Sequence, residues 1–162
     1  MTLRRFNTAR ERRDPFSIDV FTVEAEYAIR TMAVLAARAL EAPVPALAVA
    51  EATQVPARQL DRVLGKLVRH GLARRTRGGF SLSRPARDIQ VLEVIRAFQR
   101  LERIRSCPLG RPDHCGGLCP IHSRLDKAIE SIATIFGDVS LQQLVDEPLR
   151  PVRPPEFPPP SA

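Results

Sequence analysis

The 162-residue sequence lacks three features that mark large classes of proteins. No run of apolar residues approaches the roughly 18–20 needed to cross a bilayer, so we expect no membrane span. The N-terminal residues are rich in arginine and have no apolar core, which is unlike a secretory signal. We find no Ser/His/Asp arrangement, phosphate-binding glycine loop or paired-carboxylate motif, which argues against an enzyme. These absences predict a cytoplasmic protein that is not an enzyme.

Basic charge is concentrated in one short segment. The chain has 25 Lys and Arg against 18 Asp and Glu, which gives a net charge of +7. Nine of the basic residues and a single acid, Asp61, lie between residues 58 and 87, so this segment carries +8 and the rest of the chain −1. A local cluster of this kind indicates a polyanionic partner.

The spacing of apolar residues predicts six helices and one hairpin between a basic arm (residues 1–17) and a tail (residues 147–162) with seven prolines. We expect the arm to be flexible and the tail to be disordered. The helices are expected over residues 23–40, 46–53, 57–70, 89–105, 121–136 and, capped by Ser140, up to Val145. Strands over residues 72–76 and 80–83 flank Arg77-Gly78-Gly79. The chain is thus predicted to be mainly α-helical with a small β-hairpin.

The third predicted helix is the clearest amphipathic pattern in the chain. Its apolar residues follow a 3-4 spacing, and its basic residues fall on the opposite face. The order of helix, short helix, tight turn, basic helix and basic hairpin is that of a winged helix-turn-helix, whose recognition helix enters the major groove of DNA. An ordinary amphipathic helix with a solvated basic face is the alternative.

Eight residues are therefore candidates for contacts to double-stranded DNA. Those at the start of the basic helix suit base edges, the next four suit phosphates, and the arginine at the hairpin tip suits the minor groove. In that order they are Arg58, Gln59 and Arg62; Lys66, Arg69, Arg74 and Arg75; and Arg77.

All three cysteines lie within 13 residues, as Cys107, Cys115 and Cys119, and His122 follows the last of them. Disulfides are rare in cytoplasmic proteins, and an odd number of cysteines fits a disulfide framework poorly. Three thiolates in a glycine-rich loop suit an iron–sulfur cluster, with His122 near enough to be a fourth ligand. A structural Cys3His zinc site has the same ligand set, and three incidental free thiols are the remaining alternative.

The sequence resembles the Rrf-two family of winged-helix transcriptional regulators, which includes iron–sulfur and nitric-oxide-sensing repressors. The resemblance covers residues 21–145 and is carried by short matching segments in the predicted helices and hairpin. These segments are residues 26–30, 58–60, 67–72, 78–82, 91–95, 119–122 and 141–145. The chain departs from the family in its uneven cysteine spacing, its shorter wing tip, and its added arm and tail.

The resemblance implies a homodimer, paired through the long C-terminal helix, that binds a palindromic operator. It also implies a 2Fe–2S or 4Fe–4S cluster that tunes DNA affinity in response to redox state, nitric oxide or iron. Three cysteines would hold the cluster, with either His122 or the partner subunit's Glu26 as the fourth ligand. Residues 18–88 would then be the DNA-binding domain, and residues 89–146 would provide the cluster loop and the dimerisation helices.

One further class of protein remains as an alternative. A protein–protein adaptor would use the basic helix to bind an acidic partner and the proline-rich tail as a ligand for another domain. It would show neither tight duplex binding nor a steep dependence of affinity on salt, whereas a protein with several phosphate contacts shows both.

Overall fold

The computed structural model of the protein describes residues 20–40, 43–106 and 117–148. These residues form six α-helices and one antiparallel hairpin, which confirms the predicted fold class. The elements are α1 (Val23–Ala37), α2 (Ala46–Thr53), α3 (Ala57–Arg69), β1 (Ala73–Thr76), β2 (Gly79–Leu82), α4 (Val91–Phe98), α5 (Pro120–Gly137) and α6 (Leu141–Asp146). The predicted arm, and all of the predicted tail beyond residue 148, lie outside the described residues.

Helix α1 lies at the centre of the hydrophobic core. The Thr22 hydroxyl caps its start by accepting a hydrogen bond from the Ala25 N–H at 3.2 Å. The fully buried Ala28 and Met32 face helices on several sides, because α1 packs against α2, α3, α4 and α6. A single core cluster therefore joins the helix-turn-helix to the helices that follow it.

The turn between α2 and α3 has a left-handed residue at its centre. Gln54 has a φ of 58°, and its N–H donates to the Ala50 carbonyl at 2.9 Å, which closes α2. Its side-chain amide donates to the Glu51 carbonyl at 2.7 Å. Pro56 then stands at the start of α3, where its missing N–H costs nothing. This tight turn sets α3 against α2, as the helix-turn-helix prediction requires.

The hairpin is a wing with a two-residue turn, Arg77-Gly78, because Thr76 pairs with Gly79 across the strands. The predicted three-residue tip is wrong by one residue, since Gly79 belongs to β2. Val44, in the connection before α2, extends the wing through two backbone hydrogen bonds with Phe80, of 2.8 and 2.9 Å. Gly79 has a φ of +152°, and a Cβ at this position would collide with the Val44 carbonyl. A glycine is therefore required here.

The helix predicted over residues 89–105 is present, but its predicted length is wrong, since α4 spans only Val91–Phe98. Ile89 instead accepts a hydrogen bond from the Leu141 N–H at 2.9 Å, which ties the chain before α4 to the start of α6. Gln99 has extended backbone angles, φ −143° and ψ 151°. The Gln99 side chain bonds to the Thr22 N–H, and Arg103 and Ile104 bond to Asp126 of α5. These long-range bonds outweigh a local helical preference of a few tenths of a kcal/mol per residue.

The other predicted boundaries agree to within three residues. Helix α1 ends at Ala37 rather than at residue 40, because the chain tightens into a turn in which the Ala39 N–H donates to the Ala36 carbonyl at 3.2 Å. Ser140 caps α6 as predicted, with its side chain accepting from the Gln143 N–H at 3.2 Å. Across the described ranges, no helix is both long and apolar enough to traverse a lipid bilayer.

Candidate DNA-binding surface and cysteine site

Helix α3 separates its apolar and basic residues onto two faces. Leu60, Val63, Leu64 and Leu67 are buried, with exposed fractions of at most 2%. The opposite face carries the predicted DNA-contact residues of this helix, of which Arg58, Gln59, Arg62 and Arg69 are exposed. No acidic residue lies in the first turn of α3, so the partial positive charge of the helix N-terminus adds to that of the arginines. The helix thus presents a positive surface to solvent.

Lys66 differs from the other basic residues of α3. Its side chain is half-buried, and its ammonium nitrogen lies 4.6 Å from the centre of the Phe98 ring. This distance is that of a cation–π contact. Phe98 is the last residue of α4, so Lys66 connects the recognition helix to the end of α4.

The wing holds its arginines through cross-strand contacts. The Arg74 Nε donates to the Ser81 hydroxyl at 3.0 Å, and the Arg75 guanidinium lies 5.8 Å from the Phe80 ring centre. Neighbouring strand residues point to opposite faces, so Arg74 and Arg75 leave the hairpin on opposite sides. Arg77 is exposed in the turn itself. The wing therefore carries three arginines beside α3.

Two other arginines of the basic segment form ion pairs after the wing. Arg84 contacts Glu93 at 2.8 Å, and Arg87 lies 3.9 Å from Asp88. Burial acts to raise the pKa of Glu93, but the hydrogen bonds from Arg84 and from the Gln90 N–H outweigh it, and the pKa lies below its ordinary value. The free positive charge of the segment is thus concentrated on α3 and the wing.

Of the three cysteines, the structure describes Cys119, which directly precedes the first residue of α5. The Cys119 Sγ lies 3.3 Å from the His122 Nδ1, and both residues are half-buried. Sulfur and nitrogen ligands of one tetrahedral metal lie about 3.5 Å apart, given bond lengths near 2.3 and 2.0 Å. The donor chemistry and the spacing of this pair therefore fit a shared metal ion or cluster iron. Cys107 and Cys115 lie outside the described residues.

Glu26 lies in the first turn of α1 and forms an ion pair with Arg30 at 3.6 Å. Among the residues that the structure describes, no three Cys, His, Asp or Glu side chains come together as a metal site. Within the described part of one chain, Glu26 therefore does not meet Cys119 and His122 at one site.

Sequence reasoning missed an ion-pair cluster next to this site. The Arg103 guanidinium donates two hydrogen bonds to the Asp126 carboxylate of α5, at 2.7 and 2.6 Å, and also forms an ion pair with Glu130. The Ile104 N–H donates to the same Asp126 carboxylate at 2.8 Å. The Arg103 hydrogen bond, partly opposed by burial, lowers the pKa of Asp126 to about 2. One feature of the sequence could have indicated this cluster. Asp126 has no Lys or Arg three or four positions away on its own helix, so an ion-pair partner has to come from another part of the chain.

The basic recognition helix, the αL turn before it and the wing after it define a winged helix-turn-helix transcriptional regulator. Residues 21–147 match the model of the Rrf2 family, described as an iron-dependent transcriptional regulator. The chain belongs to this family, the same Rrf-two family that the sequence motifs indicate.

Relatives and solved structures agree with this assignment. The chain is 29% identical over 127 residues to the HTH-type transcriptional regulator IscR of Xenorhabdus nematophila, with 76% of this chain and 77% of that protein covered. Its fold is similar to that of CymR, the global cysteine regulator of B. subtilis, with a TM-score of 0.66 and 16% identity over 79% of this chain and 97% of that one. The T. potens IscR structure gives a TM-score of 0.64 and 23% identity, over 76% and 84% of the two chains. These relatives are transcriptional regulators and not enzymes, and family membership implies DNA binding.

Proposed function

We propose that the protein is a homodimeric repressor or activator that binds a palindromic operator and whose affinity is set by an iron–sulfur cluster. The observation that carries this proposal is the exposed basic face of α3, which continues onto the wing and is backed by a buried apolar face. A helix of this kind fits the major groove, because one face packs on the protein and the other offers donors to phosphates and bases.

The contacts to DNA divide by position along this surface. Residues in the first two turns of α3 would read base edges, and the wing and the end of α3 would contact phosphates. Lys66 is the weakest candidate, because its ammonium is held over Phe98. The residues proposed to read bases are Arg58, Gln59 and Arg62. Those proposed to contact phosphates are Arg69, Arg74 and Arg75, and Arg77 would reach the minor groove.

The apolar face of α5 supports the homodimer. Of the 18 residues in this helix, only Asp126 is buried, whereas Ile121, Leu125 and Ile135 are 71, 51 and 60% exposed. At 100° per residue these three side chains lie within about 80° of arc on one side of the helix. The same stripe on a second copy would cover it, since a two-fold interface pairs a surface with itself. Two recognition helices would then face two half-sites.

The cysteine site supports a bound cluster, with Cys107, Cys115 and Cys119 as thiolate ligands. The contact between Cys119 and His122 favours His122 over the partner subunit's Glu26 as the fourth ligand. When bound, the cluster would supply a centre sensitive to oxidation and to nitric oxide. The chain would contribute the thiolates and an imidazole at the start of α5, beside the proposed dimer stripe.

One experiment tests the cluster directly. Anaerobically purified protein should be brown, absorb near ~400 nm and contain iron and acid-labile sulfide. Colourless protein with one zinc per chain would replace the cluster with a structural Cys3His site. His122→Ala and Glu26→Gln form a matched pair that identifies the fourth ligand, because only the variant of the true ligand should lose iron.

A second experiment tests the sensing role. The cluster-loaded and cluster-free forms are titrated with the same operator duplex at one salt concentration. A difference in Kd supports regulation by the cluster, and equal affinities would end that part of the proposal. Binding that is weak and independent of salt for both forms would favour the adaptor alternative.

A further inference from the structure

We use the name strap for residues 98–104, which comprise Phe98 at the end of α4 and the six residues after it. The sequence predicts helix throughout this stretch, whereas the structure shows non-helical chain from Gln99 onwards. The strap leads from α4 towards the cysteine loop. Its side chains and backbone bond to three elements that are distant in sequence, and these contacts place it between the recognition helix and α5.

The first end of the strap touches the recognition helix. Phe98 is 9% exposed, and its ring lies beneath the ammonium of Lys66 at 4.6 Å. On the basic face of α3, Arg58, Arg62 and Arg69 are exposed, whereas Lys66 is half-buried. Lys66 is therefore the basic residue of α3 that is oriented towards the protein.

The middle of the strap is fixed to the start of α1. The Gln99 Oε1 accepts a hydrogen bond from the Thr22 N–H at 2.8 Å, and its Nε2 donates to the Val20 carbonyl at 3.4 Å. Thr22 is the N-cap of α1, which packs directly on α3. These two hydrogen bonds attach the strap to the start of α1, the helix against which α3 packs.

The far end of the strap is fixed to α5 close to the cysteine site. Arg103 and Ile104 bond to Asp126, and Arg103 also bonds to Glu130. Asp126 lies four residues, or about one helical turn, after His122, so the two side chains lie on the same face of α5. The strap is thus anchored about one turn from the Cys119–His122 pair.

We propose that the strap transmits the state of the cysteine site to the recognition helix, with Arg103 and Lys66 as positioning residues at its two ends. The proposal rests on the proposed function, regulation of DNA binding at the cysteine site. Arg103 and Ile104 are bonded to Asp126, and Ile104 lies only six residues, at most about 20 Å of chain, from Phe98, so a shift of α5 at Asp126 is passed on to Phe98. Because the Phe98 ring contacts the Lys66 ammonium, a shift of Phe98 would move α3 and the basic residues that it carries.

Hydrogen exchange on the cluster-free protein tests the strap without any bound group. Arg103→Met should increase amide exchange in residues 100–104 and also in the last turn of α3, by roughly three- to five-fold, the size of one exposed cation–π contact. The control is Arg100→Met, because the Arg100–Glu102 pair is exposed and lies wholly within the strap. Faster exchange confined to the strap would overturn the proposal. If Arg103→Met does not fold, Arg103→Lys replaces it, because it keeps the charge but cannot form the paired hydrogen bonds to Asp126. Faster exchange in both the strap and α3 would again support the proposal, and faster exchange confined to the strap would overturn it.

Operator binding tests the Lys66 end. Lys66→Met should change the ratio of cluster-loaded to cluster-free affinity and leave the salt dependence of binding unaltered, and Lys66→Arg should restore the ratio. A shallower salt dependence would show that Lys66 contacts a phosphate, and this result would overturn its positioning role. Combining Lys66→Met with Arg103→Met should change the ratio no more than either alone, and independent effects that multiply would refute a shared path.

If the wild-type ratio is one, the proposed regulation fails. In that case the hydrogen-exchange result still decides whether the strap joins α5 to α3. The failure of the proposed function is therefore distinguishable from the failure of the strap.

Discussion

The substitution Arg69→Ala gives a quantitative test of the DNA-binding surface. Arg69 is exposed in the last turn of α3, next to the buried side chains that hold the helix, and it has no ion-pair partner among the residues that the structure describes. Its removal should leave the fold intact and delete one positive charge per chain from the proposed phosphate-binding group.

The expected magnitude follows from counterion release. Each phosphate contact contributes about 0.9 to the slope of log affinity against log salt. A dimer presents two copies of Arg69, so the slope should become shallower by about 1.8, whereas a monomer would show about 0.9. Between about 50 and 200 mM salt, the wild type should therefore lose roughly ten-fold more affinity than the variant.

Fluorescence anisotropy with a labelled duplex over this range of salt measures both slopes. The matched control is Arg96→Ala, which removes one charge from an exposed site on α4, outside α3 and the wing. Its slope should equal that of the wild type. If both variants lowered the slope equally, net charge alone would explain binding, and the assignment of Arg69 to a phosphate would be refuted.

Three further perturbations have defined outcomes. Gly79→Ala should cost about 2 kcal/mol or more in urea unfolding, because its Cβ collides with backbone, whereas Gly78→Ala, which has open space around it, should cost less. The ordinary pKa of an Asp is about 3.9, and that of Asp126 is lowered to about 2, so its contribution to stability is present above about pH 4 and is lost as the pH falls towards 2. Asp126→Asn should remove that part of the acid unfolding curve. Leu125→Glu should yield monomers in sedimentation, and its exposed neighbour variant Arg124→Glu should not; a dimeric Leu125→Glu protein would contradict the α5 interface.

The recognition helix could be predicted almost residue by residue. Its apolar and basic positions repeat with helical periodicity, and helix geometry converts that spacing into two faces without any help from the rest of the chain. Pro56 at its start is local in the same sense, because proline suits the beginning of a helix. The predicted bounds of 57–70 differ from the observed helix by one residue.

The strap could not be predicted in this way. Apolar residues continue past Phe98 at Leu101 and Ile104, so the local pattern indicates a helix. The chain leaves the helix because Gln99 bonds to Thr22 and Ile104 bonds to Asp126, and these partners are 77 and 22 residues away in sequence. Periodicity reports which face is apolar, but it carries no information about such distant polar partners.

Lys66 shows the same limit on a single side chain. Its spacing places it with the basic residues of α3, yet the structure places its ammonium over a ring from α4. By itself, the sequence determined the class of protein, the basic face of α3 and the wing, since each depends on neighbours a few residues apart. Only the tertiary structure decided where α4 ends, how Arg103 joins α5 and which lysine faces inwards. Those outcomes depend on bonds between residues that folding alone brings together.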